Sequence, residues 1–187
     1  MNCIIYFWEK GRSMKDNALS IANYFIDLAK KDDTPLKPLK LMKLVYIAHG
    51  YMLAMLNRSV LDKRFDWVEA WIYGPVIPSV YHSFKNFKDS PITTKSVIFK
   101  SSDNDANDID FIEPTLQDEK ARKICDFVWK RYADYSDSQL VTLLHGKGTP
   151  WGTIYEEGMN NRIPDSFTRI YYKDLVESLL EIAKNGK

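Results

Sequence analysis

One stretch of this sequence, residues 40–56, is apolar around almost the whole circumference of a helix. Its strongest face has the i, i+3, i+4, i+7 spacing of a helical stripe and comprises Leu41, Leu44, Val45, Ala48, Met52 and Met55. Apolar side chains also occupy most of the other faces, and such a helix is usually buried on several sides. With Pro38 in its first turn and Asn57 at its end, the segment is predicted to be the central helix of the fold.

The next segment, residues 65–73, has the two-residue period of a strand. Its two alternating sets are Trp67, Glu69, Trp71 and Tyr73 against Val68, Ala70 and Ile72. We expect Gly74-Pro75 to end this strand, because Gly permits positive φ and Pro cannot donate to a sheet. Pro78 then favours the start of a helix over residues 79–87.

Other helices are predicted from capping residues and apolar periodicity. The signals, in chain order, are Asp16 or Asn17, Thr115 with Asp118, the capping box of Ser136 and Gln139, Thr149 before Pro150, and the amphipathic residues 172–183. Two β-rich segments, residues 92–100 and 109–112, predict an antiparallel hairpin that the strand at 67–73 can join. The expected fold is a single α+β domain, predominantly α-helical, with a buried central helix and a small antiparallel sheet.

Length, charge and cysteine content limit the classes of protein. A chain of 187 residues with 45% hydrophobic and 27% charged residues is typical of one globular domain, and its net charge of +1 gives no general case for binding nucleic acid or a membrane. The apolar run at 3–8 is far shorter than the about 20 residues of a membrane span. Cys3 and Cys125 form neither a disulfide framework nor a zinc motif, so a cytoplasmic location is expected. Residues 1–13 are interpreted as an N-terminal extension, which could pack as a short edge strand.

No metal or cofactor site is predicted. The acidic loop at 103–110 begins like a calcium-binding EF-hand, but Asp108 replaces the required Gly and Pro114 the bidentate Glu, so a solvated loop is favoured. No two of His49, His82 and His145 show the i, i+4 spacing of a helical zinc pair. For His49 and His145 we expect structural hydrogen bonds, whereas His82 is expected to be partly exposed.

Catalytic motifs are also lacking. Residues 146–149, Gly-Lys-Gly-Thr, do not match a phosphate-binding loop and are interpreted as a helix end followed by a helix start. The sequence has no Gly-x-Ser-x-Gly elbow and no recognisable Cys/His nucleophile pair. We therefore predict that the chain is not an enzyme and has no catalytic residues.

Three motifs together resemble the Panacea domain family, which includes SocA-like antitoxins and phage-associated GepA-like proteins. They are Lys40-Leu-Met-Lys-Leu-Val-Tyr-Ile-Ala-His-Gly50, Glu69-Ala-Trp-x-Tyr-Gly-Pro-Val-x-Pro-x-Val-Tyr81, and His145 with Pro150-Trp151. Leu144 is a departure, since Thr is expected before His145. The resemblance covers about residues 16–184, and residues 14–187 are interpreted as the Panacea domain. It implies an antitoxin that neutralises a cognate protein toxin by direct contact, and SocA-like members further imply an adaptor that presents the toxin to the ClpXP protease.

Aromatic residues, which make up 13% of the chain, supply the candidate interface. Tyr and Trp are enriched at the energetic centres of protein interfaces. The aromatics around Gly74-Pro75 are spread over both faces of the predicted strand and the turn after it, so they cannot all enter one core. The predicted partner-binding residues are Tyr73, Tyr81, His82, Lys85 and Trp151. A toxin would be occluded by an interface of about 1,600 Å².

Three alternatives to this function remain open at the level of sequence. One is a DNA-binding autoregulator, although the charge is balanced and no helix-turn-helix module is recognised. Another is a phage-associated protein-interaction domain. The third is a metal-assisted hydrolase that uses His49, His82 or His145.

Overall fold

The apolar segment forms the central helix, as predicted. The computed structural model describes residues 16–101 and 109–185. The α-helices of this part of the chain are α1 Ala18–Lys31, α2 Pro38–Met55, α3 Pro78–Phe84, α4 Glu119–Tyr132, α5 Asp137–His145, α6 Pro150–Ile154 and α7 Asp165–Asn185. α2 buries 14 of its 18 residues. Pro38 lies in its first turn, and Asn57, just beyond its end, has a positive φ of 53°.

Helices α1, α4 and α7 pack around α2. α7 packs tightly on α2, because a Cβ added at Gly50 would overlap the ring of Tyr172. Tyr172 in turn makes an edge contact with Tyr51, with ring centroids 5.0 Å apart. Gly50 is therefore the residue that lets α7 lie directly on the central helix.

The strands of the described residues form two separate antiparallel sheets. β1 Val68–Trp71 lies between β2 Gly74–Val76 and β5 Arg162–Ile163, whereas β3 Ile98–Ser101 pairs only with β4 Ile109–Ile112. In the first sheet Trp71 is opposite Gly74, and Glu69 is opposite both Val76 and Arg162. The prediction that β1 joins the later hairpin is thus wrong: β5 occupies the edge of β1 that remains after β2 has paired.

The prediction that Gly74-Pro75 ends the strand region is also wrong. The chain turns at Ile72 and Tyr73, and Gly74 and Pro75 belong to the returning strand β2. Gly74 adopts a φ of +101°, which other residues rarely reach. Pro75 is tolerated because β2 is an edge strand, where a missing N–H need not break a ladder.

The helix starts agree well with the capping residues. Asn17 caps α1, Asp118 caps α4 and Thr149 caps α6, and Ser136 forms the expected capping box with Gln139 at α5. The last helix begins earlier than predicted, at Asp165. The fold is therefore α+β and predominantly helical, as expected.

Some predictions concern residues outside the described ranges. The N-terminal extension at 1–13 and most of the acidic loop at 103–110 belong to this class. Cys125 is fully buried and unpaired, as expected for a small core residue. Within residues 16–101 and 109–185, none of the helices is long and apolar enough to cross a membrane.

Candidate partner-binding surface

Strand β1 separates the core from a half-buried aromatic face. Val68 and Ala70 point into the core and are 2% and 0% exposed. The alternate residues Trp67, Glu69 and Trp71 lie on the opposite, half-buried face. The indole Nε1 of Trp67 donates to Glu69 Oε1 at 2.6 Å, and that of Trp71 donates to Glu69 Oε2 at 2.7 Å.

The turn between β1 and β2, which we call the hairpin tip (Ile72 and Tyr73), projects into solvent. Its two side chains are 63% and 64% exposed. Trp71 and Gly74 are paired directly behind it, so the tip is a two-residue turn. Large apolar side chains are uncommon on so exposed a turn, and they offer apolar surface to a partner.

Side chains from three helices hold the backbone around the hairpin tip. Trp151 of α6 donates from Nε1 to the carbonyl oxygen of Trp71 at 2.8 Å. Lys43 of α2 donates from Nζ to that of Pro75 at 3.0 Å, and the His145 side chain of α5 packs against Gly74. The turn is therefore held on both of its strands.

The buried amine of Lys43 is the least ordinary of these groups. Lys43 is 0% exposed, and no described carboxylate lies within ion-pair distance of it. Burial lowers its pKa from 10.5 to about 7. The pKa of His145 is lowered too, by burial and by the Lys43 charge, while its bond to the Tyr73 backbone acts in the opposite sense.

The side chains of Lys43 and His145 both pack against Gly74. A Cβ added at Gly74 would lie 3.1 Å from both Lys43 Nζ and His145 Nε2. His145 Nε2 is buried and has no hydrogen-bond partner in the described structure. The absence of a side chain at position 74 is what lets both helices reach the turn.

Most of the remaining predicted residues form a patch on and just after α3. The ring of Tyr81 contacts that of Trp71, with centroids 4.7 Å apart, and that of His82 at 5.2 Å. Lys85 lies against the same Tyr81 ring, with Nζ 5.9 Å from its centre. His82 and Lys85 are exposed and Tyr81 is half-buried.

Trp151 belongs to a separate aromatic stack. Its ring stacks on His145 at a centroid distance of 3.8 Å and an interplanar angle of 4°, and on Tyr155 at 4.4 Å. The structure thus connects the predicted residues through Trp71, whose ring contacts Tyr81 and whose carbonyl binds Trp151. Sequence reasoning omitted Trp71, Ile72 and Glu69 from the site, although the alternation already placed Glu69 and Trp71 on one face with Trp67.

Within the part of the chain that the structure describes, the histidines are not grouped with other side chains in a way suited to holding a metal. His49 Nε2 lies 3.1 Å from Asp165 Oδ1, and this contact lowers the pKa of that carboxyl. Among the described residues, no three His, Cys, Asp or Glu side chains are grouped closely enough for a metal. Residues 146–149 are a helix end and a helix start: Gly146 follows α5 and Thr149 caps α6.

Comparison with known proteins connects this arrangement to a family. The family model described as "Antitoxin SocA-like, Panacea domain" matches residues 41–152. The chain belongs to this family. A relative, "Antitoxin SocA" of Caulobacter vibrioides (strain NA1000 / CB15N), is 32% identical over 139 residues, which cover 74% of this chain and 70% of the relative. No solved structure matches significantly.

The part that matches the Panacea domain contains the whole candidate surface around the hairpin tip. It includes α2 from Leu41, both strands of the hairpin, α3 and Trp151. Helix α7 and strand β5 lie beyond the matched residues. The relationship supports an antitoxin role in general.

Proposed function

We propose that this chain is a cytoplasmic antitoxin that neutralises a cognate protein toxin by direct contact and has no catalytic activity. Its family and its Caulobacter relative support the antitoxin role. The observation that carries direct contact is the hairpin tip, where Ile72 and Tyr73 are 63% and 64% exposed on a backbone held by three helices. A protein interface draws most of its affinity from a few such side chains.

The proposed binding surface joins the hairpin tip to the α3 patch and to Trp151. Tyr81, His82 and Lys85 extend it along α3, and Trp151 extends it toward α5 and α6. Because Trp71 contacts both groups, they are parts of one surface. An aromatic side chain that is already ordered loses little conformational entropy when a partner binds.

Co-expression with the protein of the adjacent reading frame tests this function. We expect the neighbour alone to stop growth, and co-expression to restore growth with a complex that co-purifies. Tyr81→Ala should abolish rescue while the far-UV circular dichroism is retained, and Tyr24→Ala, which removes a half-buried tyrosine between α1 and α4, should preserve rescue. A harmless neighbour that forms no complex would refute the toxin–antitoxin pairing.

Two finer properties need measurements of their own. We propose that the chain delivers its toxin to ClpXP, as the resemblance to SocA-like proteins implies, so the toxin half-life should shorten in the presence of the chain only where ClpXP is active.

We expect nucleic acid to make no contribution to the function of this chain, because the net charge is +1. A salt-sensitive shift of the upstream DNA by the purified chain would contradict this expectation.

A further inference from the structure

The outer face of β1 contains a carboxylate that two indoles hold in place. Glu69 Oε1 accepts from Trp67 Nε1 at 2.6 Å and Oε2 accepts from Trp71 Nε1 at 2.7 Å. One hydrogen bond to each oxygen fixes the rotation of the carboxylate, and each oxygen retains capacity for a further donor. Glu69 is half-buried, so it is still reached from solvent.

This carboxylate forms no ion pair in the described structure. No basic group of residues 16–101 or 109–185 forms an ion pair with Glu69. Arg162 is directly opposite Glu69 on β5, yet its guanidinium lies over the ring of Trp67, 4.2 Å from the centroid. In the described structure the Glu69 carboxylate therefore accepts hydrogen bonds only from neutral donors, the indoles of Trp67 and Trp71. The Arg162 guanidinium already stacks on the Trp67 indole.

We propose that Glu69, Trp67 and Trp71 form a subsite for an arginine side chain of the toxin, an inference that rests on the proposed toxin binding. Arginine is favoured over lysine for two reasons. Its planar guanidinium can donate two parallel hydrogen bonds to a fixed carboxylate, and it stacks on aromatic faces as Arg162 does here. Tyr81, which contacts Trp71 at 4.7 Å, adds an aromatic wall to the subsite.

The subsite is continuous with the rest of the proposed binding surface. Trp71 belongs to both, since its carbonyl accepts from Trp151 and its side chain contacts both Glu69 and Tyr81. A partner seated on the hairpin tip would therefore lie next to Glu69. The carboxylate would select for a basic partner side chain, while the hairpin tip would contribute apolar contact.

A titration of the full chain with N-acetyl-arginine amide tests the subsite without the toxin. The indole N–H signals of the five tryptophans can be followed by ¹H–¹⁵N NMR, with Trp67→Phe and Trp71→Phe used for assignment. We expect the signals of Trp67 and Trp71 to shift saturably at millimolar ligand. The neutral isostere N-acetyl-citrulline amide should bind about tenfold more weakly, because it lacks the charge.

Glu69→Gln should weaken the binding of arginine amide about tenfold. Glu177→Gln, at an exposed position of α7, is the matched control and should leave this binding unchanged. Equal shifts with arginine and citrulline amides, or no saturable shift, would overturn the subsite whatever happens to the variants. If arginine amide binds but no toxin is neutralised, the proposed function fails and the use of the subsite for a toxin fails with it. If the toxin is neutralised equally well by Glu69→Arg, only the subsite is refuted.

Discussion

The two β-hairpins of this protein expose similar aromatic side chains but are held in different ways. Tyr73 at the tip of β1–β2 is 64% exposed, and Phe111 on β4 is 60% exposed. Around Tyr73, side chains of α2 and α6 bind the backbone of Pro75 and Trp71, and His145 of α5 packs against Gly74. The β3–β4 hairpin is held at its base, where Asn23 binds the backbone of Ser96 and Pro114 at 2.9–3.0 Å.

We expect this difference to decide which of the two exposed aromatic residues binds a partner. A side chain on a turn held on both of its strands is already positioned, so a partner recovers more of the contact energy as affinity. For Phe111, the described bonds from Asn23 lie at the base of its hairpin and do not position its side chain in this way. Burying a polar group costs free energy. Lys43 and His145 both lie beneath the first hairpin, so this cost is associated with that hairpin.

Removing the buried amine under the first hairpin should have the largest effect. Because the folded pKa of Lys43 is about 7 and its ordinary value 10.5, the unfolded chain binds more protons between these values, and the Lys43 contribution to stability rises with pH across that window. Each pKa unit corresponds to about 1.4 kcal/mol. Lys43→Met should therefore raise the unfolding free energy by about 2 kcal/mol or more at neutral pH, after the loss of the bond to Pro75.

Urea unfolding of Lys43→Met and of the unsubstituted chain, at pH values from about 7 to about 9, measures this effect. The difference between them should shrink as pH rises. Lys123→Met, at an exposed position of α4, is the control and should follow the unsubstituted chain. A variant that is less stable at every pH would show that the Lys43 amine stabilises the hairpin more than its burial costs.

At the second hairpin, Asn23→Ala should destabilise the fold by about 2–3 kcal/mol, because it leaves buried backbone groups of Ser96 and Pro114 without partners. Toxin neutralisation should persist at temperatures where the variant is folded. Unfolding in urea and growth rescue provide the two readouts, with the exposed Asn86→Ala as control. Loss of rescue by a folded Asn23→Ala variant would place the second hairpin in the binding surface and contradict the contrast between the two.

The sequence predicted those features that depend on local periodicity and capping. The central helix, the caps at Asn17 and Ser136, and the alternation of Val68 and Ala70 with the aromatic set are all of this kind. Strand β5 was missed because two residues carry no measurable period. The β1–β2 turn was missed because Gly74-Pro75 is normally a strand terminator, and only the position of β2 at the sheet edge makes the pair acceptable.

The candidate site was only partly predictable for a similar reason. The exposure of His82 was expected from the sequence, whereas that of Tyr73 depends on the turn that was missed. Lys43 is one of two lysines in an apolar helix, and its role depends on a carbonyl 32 residues later in the chain. Long-range pairing of this kind leaves no local pattern, so the part that Lys43 has in holding the hairpin could be found only in the structure.

If the contrast between hairpins is correct, Tyr73→Ala should weaken toxin binding by about 2 kcal/mol, or about 30-fold. Its unfolding free energy should change by less than about 0.5 kcal/mol, because the side chain is largely in solvent. Phe111→Ala on the other hairpin removes a comparably exposed ring and should leave affinity unchanged. Calorimetric titration of the purified toxin distinguishes the two variants, and equal losses would mean that exposure alone determines binding.

The smallest effect is expected from removing one hydrogen bond at the hairpin tip. Trp151→Phe keeps an aromatic ring beside His145 but loses the bond to the Trp71 carbonyl, which should cost about 1 kcal/mol of unfolding free energy. Trp129→Phe is a matched control, since its indole bonds Asp32 at 2.7 Å on another side of the molecule. Both variants should lose stability, but only Trp151→Phe should weaken toxin binding, by a few-fold. A similar loss of affinity in both would show that binding follows overall stability, and that fixing the hairpin tip has no separate role.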